Sequence, residues 1–187
     1  MAEALQFDAA THAYRLGSRV LPSVTQVLSI LDQYEGVPLA ALEAAREFGT
    51  HVHMACDLDN RGALDEAALD PALAPYLDGW RRYRLDSGIR IEASEHRLVD
   101  TVLGYAGTCD VVGDVRGQRS VIDIKSGIVP KTVGPQCAAY AHALGIRRRY
   151  CVQLMPNSYR VHALTDPSDW PLFLSCLNIA KWREKHL

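Results

Sequence analysis

Two aspartates and a lysine interrupt a stretch that otherwise has the composition of buried β-strands. The stretch GTCDVVGDVRGQRSVIDIKSG covers residues 107–127 and carries Asp110, Asp123 and Lys125 among valines and isoleucines. If Arg116-Gly117 is the centre of a tight turn, Asp110 and Asp123 face each other across an antiparallel hairpin, with Cβ atoms about 5 Å apart. Lys125 lies two residues after Asp123, so its side chain projects from the same face of the sheet.

Two facing carboxylates repel each other and destabilise a hairpin unless something neutralises them. A divalent cation does so directly, and oxygen ligands suit Mg²⁺ or Mn²⁺. A lysine beside the metal can orient an attacking water and stabilise the charge of the transition state. The cluster therefore indicates metal-assisted phosphodiester hydrolysis. The alternative is a surface salt bridge on an edge strand, because a D-x-K triplet is expected roughly once by chance in such a chain. The apolar flanks of SVIDI favour a central strand.

Side chains that could complete such a site lie in three other segments. His51 and His53 are two residues apart on a predicted helix and point to different faces, so at most one of them joins a given metal. A partly buried structural histidine is the alternative reading of either. Glu95 is either solvent-facing or a third carboxylate. Gln136 and Tyr140 share one helical face, which either packs on the sheet or borders a polar site.

The composition is that of a soluble globular domain. The chain has 187 residues, of which 48% are hydrophobic and 22% charged, and its formal net charge is -2. Such a total argues against a purely electrostatic DNA binder, although the arginine-rich segments 80–84 and 145–150 could bind phosphates. The five cysteines are scattered without a C-x-x-C pair, which argues against an iron–sulfur cluster. No pattern of a secretory signal or a membrane span is visible, so we expect a cytoplasmic protein.

The elements that must position these residues follow from hydrophobic periodicity and turn signals. In residues 1–88 we predict a hairpin over 4–21, a helix capped by Ser23, and helices over 38–57 and 71–86, the first with a possible break at Gly49. Residues 89–187 are predicted to form the sheet that carries the two aspartates, together with its helices. Strands are predicted over 89–99, 104–113, 118–125, 149–154 and 159–164, and helices over 135–145 and 168–185. This order predicts a single α/β domain with a central mixed β-sheet flanked by helices.

Taken in order, these motifs resemble the RecB-like, phage-type exonuclease branch of the PD-(D/E)xK nuclease superfamily. That branch typically shows a helical G-T-x-x-H, a strand Glu, a G-x-x-D, a D-x-K and a Q-x-x-x-Y. Here they fall at Gly49–His53, Glu95, Gly107–Asp110, Asp123–Lys125 and Gln136–Tyr140. The segment HAYRLGSRVLPSVTQVL also resembles the opening of phage exonucleases, so the similarity runs from about His12 to Tyr140.

The resemblance implies a restriction-endonuclease-like core and a metal site. In this site Asp110 and Asp123 ligate Mg²⁺ or Mn²⁺ together with the main-chain carbonyl of Ile124. His53 matches a further metal ligand of the branch, which makes His51 a bystander.

The resemblance also assigns roles around the metal. Lys125 would position the attacking water, and Glu95 would be an outer or second-metal carboxylate. Gln136 and Tyr140 would order the active site and border the DNA.

The function implied by the resemblance is a metal-dependent DNA exonuclease of recombination, repair or phage DNA metabolism. It would use one or two Mg²⁺ or Mn²⁺ ions and no iron–sulfur cluster. A structure- or site-specific endonuclease of the same fold and a catalytically silent DNA-binding subunit are the alternatives. DNA is the expected partner, a recombination or single-strand-binding protein and a second copy of the chain are further ones, and a bacterial or phage-infected cell is the expected setting.

Overall fold

The N-terminal part of the chain forms a small antiparallel sheet. The computed structural model describes residues 4–8, 11, 13–31 and 38–187, so His12, where the sequence resemblance begins, lies outside the described residues. Strands β1 (Leu5–Asp8), β2 (Ala13–Leu16) and β3 (Arg19–Leu21) pair in this order. The segment 4–21, predicted as a two-stranded hairpin, therefore forms three strands.

Two α-helices follow this sheet, and the second of them carries His53. Ser23 caps α1 (Val24–Leu28) as predicted, because its hydroxyl accepts from the Gln26 N–H at 3.1 Å and the Gln26 side chain accepts from the Ser23 N–H at 2.9 Å. Helix α2 (Leu39–Asn60) runs without interruption for 22 residues, so the break considered at Gly49 is wrong. A helical glycine costs about 1 kcal/mol. Burial of the apolar residues that follow it on α2 offsets this cost.

Five strands build the central sheet after helix α3 (Ala74–Ser87). They are β4 (Arg90–Asp100), β5 (Tyr105–Val115), β6 (Gln118–Lys125), β7 (Arg148–Met155) and β8 (Ser158–Ala163), adjacent in this order. The pair β6–β7 is parallel and the other pairs are antiparallel. Helix α4 (Val133–Leu144) supplies the crossover that a parallel pair needs. The prediction of a mixed sheet flanked by helices is confirmed.

The hairpin of β5 and β6 has the predicted register. Its pairs run from Val111–Ile122 to Val115–Gln118, which leaves Arg116-Gly117 at the tip. Both tip residues have left-handed backbones, with φ values of 53° and 79°, as a two-residue hairpin turn of this type requires. The next facing positions toward the sheet interior are those of the two aspartates.

Apolar side chains cover both faces of the central sheet. Helices α1, α4 and α5 (Asp169–His186) pack on one face around buried Tyr105, Val121 and Phe173. Helices α2 and α3 pack on the other face around buried Ile122 and Trp80. All five cysteines are buried and free. Within the described ranges, no helix has the length and apolar character to cross a membrane.

Candidate functional site

The β5–β6 ladder ends where the two aspartates begin. The last regular pair is Val111–Ile122. At the next position, the Asp110 carboxylate replaces a backbone carbonyl as the hydrogen-bond acceptor: its Oδ2 accepts a hydrogen bond from the Ile124 N–H at 2.6 Å. A buried N–H that loses its ladder partner needs another acceptor. The two strands therefore separate here without leaving this donor unpaired.

One imidazole and two carboxylates meet at this opening. Ligand atoms of His53, Glu95 and Asp110 all lie within 4.8 Å of one another. His53 comes from α2, and its Nδ1 is 3.4 Å from Asp110 Oδ1. Glu95 comes from β4, where its φ of 49° interrupts the extended backbone. Such left-handed backbone is unfavourable for a non-glycine residue and occurs where the surrounding structure imposes it.

Asp123 lies beside this group but is held by different residues. It is 1% exposed, and its Oδ2 is 2.7 Å from the ammonium of Lys125. Its Oδ1 accepts a hydrogen bond from Gln136 Nε2 at 3.0 Å, and the same amide nitrogen lies 3.3 Å from the Tyr140 hydroxyl. The lysine ammonium and the glutamine amide thus engage both oxygens of the Asp123 carboxylate.

The main chain of Ile124, whose carbonyl is a predicted metal ligand, contacts Lys125 and Asp110. Its oxygen accepts from Lys125 Nζ at 3.4 Å, while its N–H bonds Asp110. The structure thus places the predicted site residues next to one another, but Asp123 lies outside the group of His53, Glu95 and Asp110. The metal-binding and catalytic roles of all these residues stay predictions. His51 is exposed, unlike half-buried His53.

Burial and charge shift the pKa of each group that could bind a cation. Burial lowers the pKa of His53, but the charge of Asp110 and the hydrogen bond between them outweigh burial and raise it to about 9. Burial and the charge of Asp110 raise the pKa of Glu95 to about 7. For Asp110 burial acts upward, yet the charge of His53 holds its pKa below the ordinary value.

The pair of Asp123 and Lys125 is also shifted. Burial raises the pKa of the Asp123 carboxyl despite the opposing charge of Lys125. For Lys125 burial acts downward, but the charges of Asp123 and Asp110 outweigh it and raise the pKa of the ammonium. The site therefore holds several carboxyl groups close together, and bound protons and the Lys125 ammonium balance their negative charge. Oxygen and imidazole donors in such a field fit a divalent cation such as Mn²⁺ or Mg²⁺.

A cavity of about 1030 Å³ opens onto these residues. Its lining includes two residues that the sequence did not single out, Tyr14 and Thr108, whose hydroxyl oxygens are 2.7 Å apart. Tyr14 belongs to the separate N-terminal sheet, and no local signal in the sequence relates it to the site. Asp57 also lines the cavity, and its Oδ1 is buried without a hydrogen-bond partner among the described residues. Asp57 lies one helical turn after His53 on the same face of α2, and this spacing could have predicted it as a site residue.

Comparison with known proteins identifies no relative by sequence. No family model matches the chain, and no curated protein matches it. Among solved structures, the fold of this chain is similar to the crystal structure of SSO0001. The two share 12% sequence identity with a TM-score of 0.43, and the alignment covers 88% of this chain and 76% of that chain. LHK-Exo in complex with dAMP has 15% identity and a TM-score of 0.46, with 88% of this chain and 89% of that chain covered. Values as low as these do not establish a common function.

Proposed function

We propose that the chain is a Mg²⁺- or Mn²⁺-dependent deoxyribonuclease of the RecB-like, phage-type exonuclease branch of the PD-(D/E)xK superfamily. The convergence of residues from α2, β4, β5, β6 and α4 at the end of the β5–β6 ladder carries this proposal. A local salt bridge on an edge strand would not bring these residues together. Moreover β6 is a central strand, with β5 on one side and β7 on the other.

His53, Glu95 and Asp110 are the residues that would hold the cation, and Asp123 would join them when the cation competes with Lys125 for its carboxylate. A cation bound there supplies a Lewis acid that polarises a phosphoryl oxygen and offsets negative charge. It would also explain why Glu95 and Asp123, two carboxyl groups with raised pKa values, lie beside a third carboxylate.

Lys125 is the residue placed to act on the attacking water. Its ammonium is fixed by Asp123 at 2.7 Å and lines the cavity. From this position it can orient a water molecule by hydrogen bonding and stabilise charge that develops on the phosphate. Gln136 keeps the Asp123 carboxylate in place, and Tyr140 lines the cavity beside it.

DNA is the proposed substrate, and digestion from an end is the proposed mode. Both rest on the ordered motifs. A structure- or site-specific endonuclease of the same fold is the second candidate, because it would use the same residues and the cavity that they line is open to solvent. A catalytically silent subunit is less well supported, because every motif position carries a functional side chain. The proposals of a recombination or single-strand-binding partner, a homo-oligomer and a bacterial or phage-infected setting rest on the resemblance alone.

A nuclease assay tests the proposal. End-labelled linear single strands, linear duplex and covalently closed circles are incubated with Mg²⁺, Mn²⁺ or EDTA. Lys125→Ala is the site variant, and His51→Ala, on an exposed residue of the same helix, is the matched control. We expect metal-dependent loss of linear DNA by the wild type and the control only. Cutting of the circle would favour the endonuclease, and equal activity of Lys125→Ala would refute the assignment.

A further inference from the structure

A second cavity, of about 440 Å³, lies at the opposite end of the β5–β6 hairpin. Among the described residues it shares no lining residue with the cavity of the candidate active site. Val115, in its wall, is five positions further along β5 than Asp110, which corresponds to about 17 Å. The two cavities are therefore separate binding spaces.

Tyrosine rings form much of the wall of this second cavity. Tyr83 comes from α3, Tyr150 from β7 and Tyr159 from β8. The rings of Tyr83 and Tyr159 meet edge to face, with centroids 5.4 Å apart. The Tyr159 hydroxyl donates to Asp86 Oδ2 at 2.8 Å. The Tyr83 ring is only 2% exposed and contacts Tyr159 from within the core. The half-buried rings of Tyr150 and Tyr159 are therefore the ones that offer π surface to the cavity, on which planar heterocycles stack.

Two polar side chains complete the lining at the hairpin tip. Arg116 has the left-handed φ of 53°, and Gln118 begins β6. Within the described part of the chain, neither side chain makes a hydrogen bond or a salt bridge. A guanidinium presents five donors that match a phosphate, and an amide presents both donors and acceptors. Asp86 and Ser87 line the cavity on the α3 side, where the Asp86 carboxylate is bonded by the Tyr159 hydroxyl. Aromatic walls with Arg116 and Gln118 at the hairpin tip match the chemistry of a base linked to a phosphate.

We propose that this cavity binds a nucleotide, with the base against the rings of Tyr150 and Tyr159 and the phosphate on Arg116. The volume falls within the range of about 300–1000 Å³ that is usual for small-molecule sites. This site does not depend on the proposed nuclease activity. The nucleotide is either a free mononucleotide or one unit of a DNA strand, and both present the same base and phosphate.

The experiment uses the full chain, with EDTA present so that no divalent cation supports binding at the other site. Chemical-shift changes of the Gly117 and Gln118 amides are followed by NMR as dAMP, deoxyadenosine or a short oligothymidylate is added. The decisive variant is Arg116→Asn, because asparagine tolerates left-handed backbone and should keep the turn intact. Arg147→Ala, on an exposed arginine outside the cavity, is the control.

We expect dAMP to bind the wild type and Arg147→Ala equally, and Arg116→Asn to weaken dAMP about tenfold, as loss of a charge-assisted contact does. Deoxyadenosine should bind equally with and without Arg116. Saturation by dAMP identifies a free nucleotide, whereas Arg116-dependent binding of the oligonucleotide alone identifies a strand. Absence of any nucleotide binding, binding that is unchanged in Arg116→Asn, or binding that Arg147→Ala weakens as much as Arg116→Asn would each overturn the proposal.

Discussion

The carboxylate of Asp110 accepts the backbone hydrogen bond of Ile124, 2.6 Å away, at the point where their two strands separate. One oxygen thus completes the backbone pairing, while the other lies 3.4 Å from His53 Nδ1. The same side chain therefore stabilises the end of the hairpin and sets the charge of the candidate metal site. These two roles can be separated experimentally, because an asparagine oxygen accepts a hydrogen bond but carries no charge.

The substitution Asp110→Asn should lower the pKa of His53. In the wild type, Asp110 outweighs the effect of burial and holds this pKa at about 9. Without the charge, burial dominates and the pKa should fall below the ordinary value of about 6.5. NMR titration of the imidazole in metal-free protein measures it. If the pKa stayed near 9, another charge would have to control His53.

Lys125→Met should destabilise the metal-free protein by about 3 kcal/mol, because it leaves the buried Asp123 carboxylate without its cation. The double variant Asp123→Asn/Lys125→Met should recover most of this free energy of unfolding, since both charges are then absent. Urea denaturation compares the wild type with the single and double variants. The argument fails if the double variant is no more stable than Lys125→Met. Neither variant should hydrolyse DNA.

Binding of Mn²⁺ should strengthen from about pH 6 to about pH 9, because ligands must lose their protons before they bind a metal. Glu95 has a pKa of about 7 and His53 a pKa of about 9, so both release protons in this window. Calorimetry in buffers of different ionisation enthalpy counts the protons released. His53→Ala should release about one fewer and bind Mn²⁺ more weakly, and His51→Ala should match the wild type. Affinity independent of pH would count against His53 and Glu95 as ligands.

The thermal stability of the metal-free protein should fall as pH rises through the same window. For both groups the folded pKa is above the ordinary value, so the folded state binds more protons than the unfolded chain. Their contribution is fully present below the ordinary values. It is lost as pH passes about 7 for Glu95 and about 9 for His53. Melting curves with and without Mn²⁺ should diverge with rising pH, and parallel curves would contradict the prediction.

Gly107→Ala should destabilise the protein by about 1–3 kcal/mol, the usual effect of overpacking. An added Cβ would lie 2.7 Å from Cε1 of the Tyr140 ring and 3.3 Å from Cγ2 of Val24, and both side chains are buried. Gly127→Ala is the matched control, because its Cβ would meet nothing within 4 Å. Equal melting temperatures for the two variants would show that the Tyr140 ring moves freely.

The local features of this protein could be read from its sequence. The register of β5 and β6 follows from the turn at Arg116-Gly117, because side chains alternate with a period of two along each strand. The shared face of Gln136 and Tyr140 follows from the helical repeat, and the capping of α1 from the order of Ser23 and Gln26. In these cases the interacting residues are close in sequence or linked by one turn, so geometry leaves few alternatives.

Contacts between distant elements were decided only by the tertiary structure. Only the family resemblance, and no local pattern, predicted that α2 carries His53 to Asp110. Nothing in the sequence shows that Glu95 takes a left-handed backbone or that Tyr14 reaches the cavity from another sheet. It also could not show that α2 continues through Gly49, since packing of the neighbouring residues outweighs the low helix propensity of one glycine. Periodicity determines the side of its own element to which a residue points. Packing of the elements against one another determines what that residue meets.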